Sequence, residues 1–550
     1  PTIAEIGGRV RITAEVIDPH TQTTVYSESA DGTGAESVLP SLDAINSRLR
    51  VRLGEALATV SQDSLPLEKV ATKNLDALRA YSLGYKAIAA GEIDGAIALY
   101  ESAIHLDDGF ARAHIELADA LSNLGKRTEA QARLRAALAL EDRILPRDRM
   151  IAEARLAQLA SPVHGLEKWK ALAAVYPDLF MAQGLYGYYA WQYTNDYETA
   201  IAATRRNAVA QNPHRGIGLY LLGTLYLGNE QYADSHKSFL DADAVGARFE
   251  NVYYAALFAA QRQYPRMQQV LGAGKAPDGP TSLAHNLVLR AGVAIDRARW
   301  SDAHKLVDEA KANAAAIGET HFAGVESVGL TVSVLSESKA QAKVAIEQYL
   351  VDRVEKPLSP DIDPPIRDGR ILFNAWLAAR YGEPATARAT MTQASSQARS
   401  GNYPVLSSVL GVLEAELALR EGNARSAVDQ LRPLLDDKEP YAAHLVLMDA
   451  YTELADFASA REHARWLAKH RGRAYTEIGA SMAWIPFNIA QSTHALLAQA
   501  ELSVKLDDRD AARSALAEFL DAWPDHGGTP TLHARVKAVE AALDPAAVPK

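Results

Sequence analysis

The sequence predicts an all-α fold, a superhelix of antiparallel helix pairs preceded by a small partial α/β segment. Three observations carry that prediction. The first is a period. Laid over one another, "LGYKAIAAGEIDGAIALYESAI" (83–104) and "LADALSNLGKRTEAQARLRAAL" (117–138) pair Leu83 with Leu117, Gly84 with Ala118, Ala96 with Ala130 and Ala103 with Ala137, each 34 residues apart. The second is the helical spacing of apolar residues from Leu75 onward, interrupted by short polar turns such as "AAGEIDG" and "NLGKRTE". The third is a different rhythm in the first sixty or so residues, where apolar and polar side chains alternate.

At 550 residues the chain is too long for one compact core. A hydrophobic share of 48% with 23% charged residues is that of an ordered globular protein. The net charge of −11, with no long basic run, argues against nucleic-acid binding, which needs a concentrated basic face. No stretch approaches the roughly 18 to 20 apolar residues of a membrane span. There is no signal peptide and the chain begins at Pro1, so it reads as part of something longer. With no cysteine, disulfides, thiol catalysis and cysteine-ligated metal are excluded, and cytoplasm and periplasm stay equally open.

In chain order, "GGRVRITAEVIDPHTQTTVYSES" alternates through Val10, Ile12, Ala14 and Val16, turns at "DPHTQT" and resumes with Val25 and Tyr26, which predicts a two-stranded hairpin. "SVLPSLDAINSRLRVRLGEAL" then spaces Leu39, Leu42, Ile45, Leu49 and Leu53 as a helix, completing a segment over 1–62. Paired helices begin at Ala77 and again at Ala111. "LEKWKALAAVYPD" closes a third pair on Pro177, a fourth ends at Pro213, and "LYLLGTLYLGNEQYADSHKSFLDA" makes a fifth. Three more pairs near the C-terminus place alanines 427, 460 and 512 at matching positions, whereas the register is weak between about 251 and 400. Four prolines in "VEKPLSPDIDPPIRDG" (354–369) exclude a continuous helix and mark a long loop or a joint between repeat regions 63–353 and 370–545.

Small residues at a fixed period have a packing explanation. Two helices approach closely only where their facing positions are small, and larger apolar residues fill the gaps between pairs. One pair cannot bury its own face, so stacking is obligatory.

These units resemble tetratricopeptide repeats. Leu83, Gly84, Ala96, Tyr100 and Ala103 match the repeat pattern in one unit, and Leu222, Gly223, Tyr226 and Phe239 match it in another. Ser235 stands where alanine is usual, and Asp108 and Asp142 replace the terminal proline. The strand–helix segment followed by repeats is similar to bacterial multidomain signalling proteins, in which a domain like the amino-terminal domain of TolB precedes the repeats. "KHRGRAYTE" and "LAEFLDAWPD" look most like the putative class III cyclases of peptide-modification systems, with repeat-bearing serine/threonine kinases as the neighbouring comparison. That resemblance implies a non-catalytic protein- or peptide-binding and sensing module regulating an effector outside this chain. Its alternatives are the regulatory region of a cyclase or kinase, or a passive assembly scaffold. It also implies a periplasmic location where a membrane span lies upstream, and otherwise a cytoplasmic one.

Motifs for chemistry are incomplete throughout. "LGAGKAPDG" lacks a phosphate-loop pattern because position 269 is Gln and Ala276 follows Lys275. Asp361, Asp363 and Asp368 cluster like cation ligands but lack the twelve-residue loop spacing and a closing glutamate. His463 and His470 lie seven apart, the spacing of a charged helix surface rather than of a metal-hydrolase motif. No Gly-x-Ser-x-Gly elbow occurs. No catalytic residue, metal or cofactor is therefore expected.

"LYGYYAWQYTNDY" supplies more aromatics than one core-facing stripe can hold, so some should line a surface. Repeat register directs Tyr85, Tyr189, Tyr193, Tyr220 and Leu227 to the concave groove, with Arg205 and Arg206 placed to receive a carboxylate or an acidic peptide. The expected partner is a protein or peptide in that groove, with self-association left open. If Tyr189 and Tyr193 are binding hot spots, changing both to alanine should weaken partner binding by roughly 2 kcal/mol or more with helicity intact. If they are core, each truncation should instead cost about 3 to 5 kcal/mol of stability, read from thermal unfolding.

Overall fold

The computed structural model describes residues 2–18, 21–53, 71–247, 251–273, 280–359, 362, 364–477, 482–523 and 529–544. The chain divides into two compact units, Pro1–Ala160 and Ser161–Lys550. That division falls inside the repeats. The boundary expected at 62 lies outside the described residues.

The first unit opens with three antiparallel strands in the order β1 (Thr2–Ile6), β2 (Arg9–Ile17), β3 (Thr24–Thr33). The expected hairpin is β2–β3, and an additional strand precedes it. Gly7 and Gly8, at φ +58° and +79°, form a two-residue turn of the kind that needs positive φ at both positions. The Gly-Gly pair that reads as the start of the hairpin is therefore a turn in its own right. Helix Val38–Arg52 covers one face of the sheet, burying Ile45 against Val10 and Ile12.

Two helix pairs follow, Leu75–Ala89 with Ile93–Leu106 and Ala111–Asn123 with Arg127–Ala139, and then the helix Pro146–Ala160. The small residues sit at the helix crossings. A Cβ built on Gly84 would lie 2.7 Å from the ring of the fully buried Tyr100, so only glycine admits the neighbouring helix. Ala96, Ala103, Ala130 and Ala137 have no exposed surface. Successive pairs are also tied by charge. Asp107 accepts from Arg143 at 2.8 and 2.9 Å, and Asp148 accepts from Arg112 at 2.7 Å.

The second unit repeats the device. A Cβ on Gly223 would meet the Phe239 ring at 2.7 Å, the same relation as Gly84 to Tyr100 at the same sequence separation. The fourth residue of the second helix is small and buried in eight pairs, at Ala200, Ser235, Ala303, Ala342, Ala387, Ala427, Ala460 and Ala512, whereas Met267 takes that place in the pair Val252–Ala260 with Tyr264–Ala273. Ser235 satisfies this rule because its hydroxyl donates to Gly223 O at 2.7 Å across the crossing. Between 251 and 400 the pairs persist, first as the short helices Val252–Ala260 and Tyr264–Ala273 and from residue 280 as longer ones such as Trp300–Ile317 and Glu319–Ser336. Longer helices push Ala303, Ala342 and Ala387 further apart than 34 residues, which is why the register looked weak. The Pro-rich stretch lies within this unit, between the helices Lys339–Glu355 and Pro364–Tyr381. Pro364 and Pro365 occupy the first turn of the latter, where a missing N–H costs nothing.

One insertion breaks the repeat pattern. Between the helices Phe457–Lys469 and Trp484–Lys505 lies a six-residue helix, Arg471–Thr476, with every residue buried. It joins the C-terminal pairs to helices more than 170 residues earlier in the chain. The Arg471 guanidinium donates to Asp296 at 2.9 Å, to Ala260 O at 2.8 Å and to Ser492 at 2.6 Å. Asp296 also accepts from Thr493 at 2.6 Å and Tyr264 at 3.0 Å. A Cβ on Gly472 would lie 1.9 Å from Leu227 O, so the short helix crosses Arg215–Gly228 backbone against backbone. Glu230 receives the amides of Gly472 and Arg473, each at 3.1 Å. Asn195 donates to Lys438 O and Glu439 O at 3.1 and 3.2 Å. The early and late helices of this unit are thereby held as one body.

Replacing Arg471 by methionine would strip the buried Asp296 of its ion-pair partner, leaving the Thr493 and Tyr264 hydroxyls and the weaker pull of the Arg262 cation, at a cost of roughly 3 to 5 kcal/mol. Adding Asp296→Asn should recover a large part of the loss. Urea unfolding of the two variants checks this, and a loss below about 1 kcal/mol in the single variant would contradict it.

Candidate functional site

A cavity of about 310 Å³ lies among four helices of the second unit. Helix Pro280–Asp296 contributes Ala284, His285 and Val288, which share a face one turn deep. Helix Glu319–Ser336 contributes His321, Gly324, Val325 and Val328 at the i, i+3, i+4, i+7 spacing of one stripe. Ile366 and Arg370 come from Pro364–Tyr381, and Tyr188 and Gln192 from Phe180–Thr194. The lining is mostly aliphatic.

Arg370 brings a charge to it. It is only 7% exposed, and its Nε and Nη1 have no hydrogen-bond partner. Burial lowers the guanidinium to about 10, against the weaker pull of Tyr349, Glu326 and Glu319, so it remains a cation at neutral pH. Of the nearby acids, Glu326 faces Arg353 at 3.6 Å with its Oε2 lacking a hydrogen bond, Glu319 accepts from the Ser359 amide at 3.1 Å, and Asp368 accepts from Arg367 at 2.7 Å. A Cβ on Gly324 would lie 3.1 Å from Arg370 Nη2, so glycine there makes room for the guanidinium. The rings of His285 and His321 lie 5.9 Å apart on the same wall.

The structure scatters the residues that register directs to a groove. Tyr85, in the first unit, is 51% exposed. In the second unit Leu227 has no exposed surface and belongs to the main core, so it packs between helices instead of meeting a ligand. Tyr193 is 4% exposed and stacks on Tyr189 at 5.2 Å, which puts its truncation on the stability side. Tyr189 is half-buried. Tyr220 is half-buried too and packs edge-on against Phe239 at 5.3 Å. Arg205 and Arg206 are exposed, and Arg205 Nε donates to the Tyr226 hydroxyl at 2.7 Å. The aromatic run does reach the cavity, but through Tyr188.

Three other sequence readings change or fall away. His463 and His470 do not make a charged surface. Burial and the neighbouring His444 push His463 down to about 4, and His470 stacks on Trp466 at 4.2 Å. Asp361 and Asp363 lie outside the described residues, as does most of "LGAGKAPDG". Asp368 is paired with Arg367, and no group of metal-ligating side chains occurs among the described residues. Arg370 went unnoticed in the sequence. Its signal was a lone arginine preceding the apolar run "ILFNAWLAA", on the same helical stripe as Phe373, Asn374 and Leu377.

Around the short helix, acids in neighbouring positions titrate far apart. Burial would raise Glu439, but a hydrogen bond with His444 and the Arg473 cation hold it at about 2. Burial raises Glu477 to about 7 against the pull of Arg473 and the Tyr441 amide. Burial likewise raises Glu230 to about 7.

The family model described as "Tetratricopeptide repeat" matches residues 87–143. Similar solved structures include "Crystal structure of APC/C hetero-tetramer Cut9-Hcn1", at 12% identity over 88% of this chain and 98% of that one, with a TM-score of 0.41. Another is "Crystal Structure of the Yeast Tom70", at 13% identity over 85% and 95%, with a TM-score of 0.25. No curated protein matches the sequence.

Glu477 makes the second unit pH-dependent in a defined direction. Below its ordinary 4.5 the carboxyl is protonated whether folded or unfolded. As pH rises toward about 7 the unfolded chain gives up the proton first, so this group's contribution to stability falls. Glu477→Gln removes that dependence. Relative to the wild type, the variant should therefore gain roughly 1 to 3 kcal/mol between about pH 5 and about pH 8. Urea midpoints at the two pH values check it, and an unchanged difference would contradict it.

Proposed function

We propose that this chain is a non-catalytic interaction and sensing module, in which helix-pair repeats present surfaces to a protein partner and the cavity of the second unit takes up a small ligand. The observation that carries this reading is the cavity itself. Its walls come from helices near residues 190, 285, 325 and 370, and the Arg471–Asp296 junction holds the same unit together. An occupant would touch repeats far apart in sequence and bias how they pack, which is what coupling a ligand to a partner surface requires. Exposed Arg205 and Arg206 are the partner surface this reading favours, with an acidic peptide as the matching chemistry.

The signalling context rests on resemblance. A sheet-and-helix segment followed by repeats suits the sensing region of a bacterial signalling protein whose cyclase or kinase domain is carried outside this chain. No helix among the described residues is long and apolar enough to cross a membrane. A periplasmic placement goes with a membrane span upstream, and reporter fusions at Lys550 test it.

Val288 is half-buried and faces the cavity, so Val288→Trp should fill that space without disturbing the surrounding core. Calorimetric titration with octanol, a neutral apolar probe, should show saturable binding to the wild type. Binding should be weakened about tenfold or more in the variant, with the helical circular dichroism retained. Equal binding by both proteins would remove the cavity from the reading. Nucleotide turnover by this chain alone would overturn its non-catalytic part.

A further inference from the structure

Arg370 poses an energetic problem that the described residues do not solve. A buried charge is ordinarily paired, because removing an ion from water costs several kcal/mol unless a counter-charge or a full set of hydrogen bonds replaces the lost hydration. Among the described residues Arg471 meets that condition through Asp296, and Arg380 meets it through Glu416 and Asp449. Arg370 does not: two of its nitrogens have no acceptor and no carboxylate lies within ion-pair distance. A guanidinium cannot escape by losing its proton at neutral pH. No described residue supplies the missing partner, and the space beside Arg370 is the cavity.

We propose that the cavity binds a small apolar monocarboxylate whose carboxylate is received by Arg370 and whose hydrocarbon part lies against Val288, Val325, Val328 and Ile366. The assignment rests on the cavity being a ligand site, and it adds the chemistry of the ligand. Charge selects the anion. One permanent cation matches one negative charge, whereas a phosphate dianion calls for several cations or a cradle of backbone amides. The walls select the rest of the molecule. Beyond the guanidinium and the two imidazoles, the described lining offers only the Tyr188 hydroxyl and the Gln192 amide, few partners for the backbone of a peptide. The volume of about 310 Å³ is at the small end for ligand cavities, which suits a short acyl acid. Gly324 supports the same picture, because any larger residue would press on the guanidinium that receives the anion.

The test compares octanoate with octanol on the full chain by calorimetry. The two probes match in chain length and differ in charge. Octanoate should bind wild type about tenfold or more tightly than octanol, the range of a charge-assisted hydrogen bond in a buried site. Arg370→Met should abolish that preference while octanol binding survives. It should also raise the unliganded melting temperature, because an unpaired buried cation is replaced by an apolar chain of similar length. Equal affinity of the two probes for wild type overturns the proposal and leaves the cavity reading intact, and that comparison does not depend on the variant folding. A preference that persists in Arg370→Met, or a variant that melts earlier, also overturns it, since Arg370 would then be structural. A peptide with a free C-terminal leucine that outcompetes octanoate, while its amide does not, would overturn the assignment to a free acid. Octanol and octanoate binding unaffected by Val288→Trp would instead defeat the cavity reading itself.

Discussion

The Arg471–Asp296 pair is the contact on which the second unit depends. Stacked helix pairs contact mainly their neighbours, so the ends of a repeat array have no reason to meet. Here they meet because a six-residue helix is inserted between two pairs and carries an arginine into the space between early and late repeats. Burial alone would lower the Arg471 guanidinium, but Asp296 outweighs it and holds the side chain charged. Gly472 permits the backbone contact with Leu227, and Glu230 takes up the two amides that the start of the short helix leaves open. Packing, hydrogen bonding and charge act on the same six residues. Without that tie, the helices around the cavity would lack the bracing that keeps its walls in register.

Two buried arginines in one unit therefore have opposite fates. Arg471 is saturated by groups of this chain and stabilises a junction. Arg370 lies at comparable burial, and among the described residues no carboxylate pairs with it. The contrast separates structure from function without any motif, because a fold gains no stability by keeping an unpaired cation inside. The same logic applies to Glu439 and Glu477, which share Arg473. The one with an additional histidine partner stays ionised, and the other is pushed toward protonation.

Much of this fold was legible in the sequence because repeat packing is local. The distance from Gly84 to Tyr100, or from Gly223 to Phe239, is set within one helix pair, and a pair leaves a regular mark on the chain. The alanines at 427, 460 and 512 were legible for the same reason. Register faded between 251 and 400 because longer helices stretch the period without changing the crossing rule, and Ala303, Ala342 and Ala387 still obey it. The first strand was missed because a Gly-Gly turn and the start of a hairpin look alike in sequence. Groove residues were less legible. Tyr193 and Leu227 lie in the core because a first helix in a closed unit is covered by distant repeats as well as by adjacent ones.

By itself the sequence determined the helix pairs, their small-residue crossings, the sheet-and-helix segment at the start and the absence of familiar catalytic motifs. These follow from periodicity and composition, which act over tens of residues. Only the tertiary structure decided that "HRGRAYTE" ties early helices to late ones, that Tyr188 and not Tyr189 reaches a cavity, and that two nitrogens of Arg370 find no acceptor among the described residues. Each of these depends on which residues, separated by a hundred positions or more, share the same few ångströms. The free energy of a buried charge is set by those neighbours and by no feature of the residues beside it in the chain.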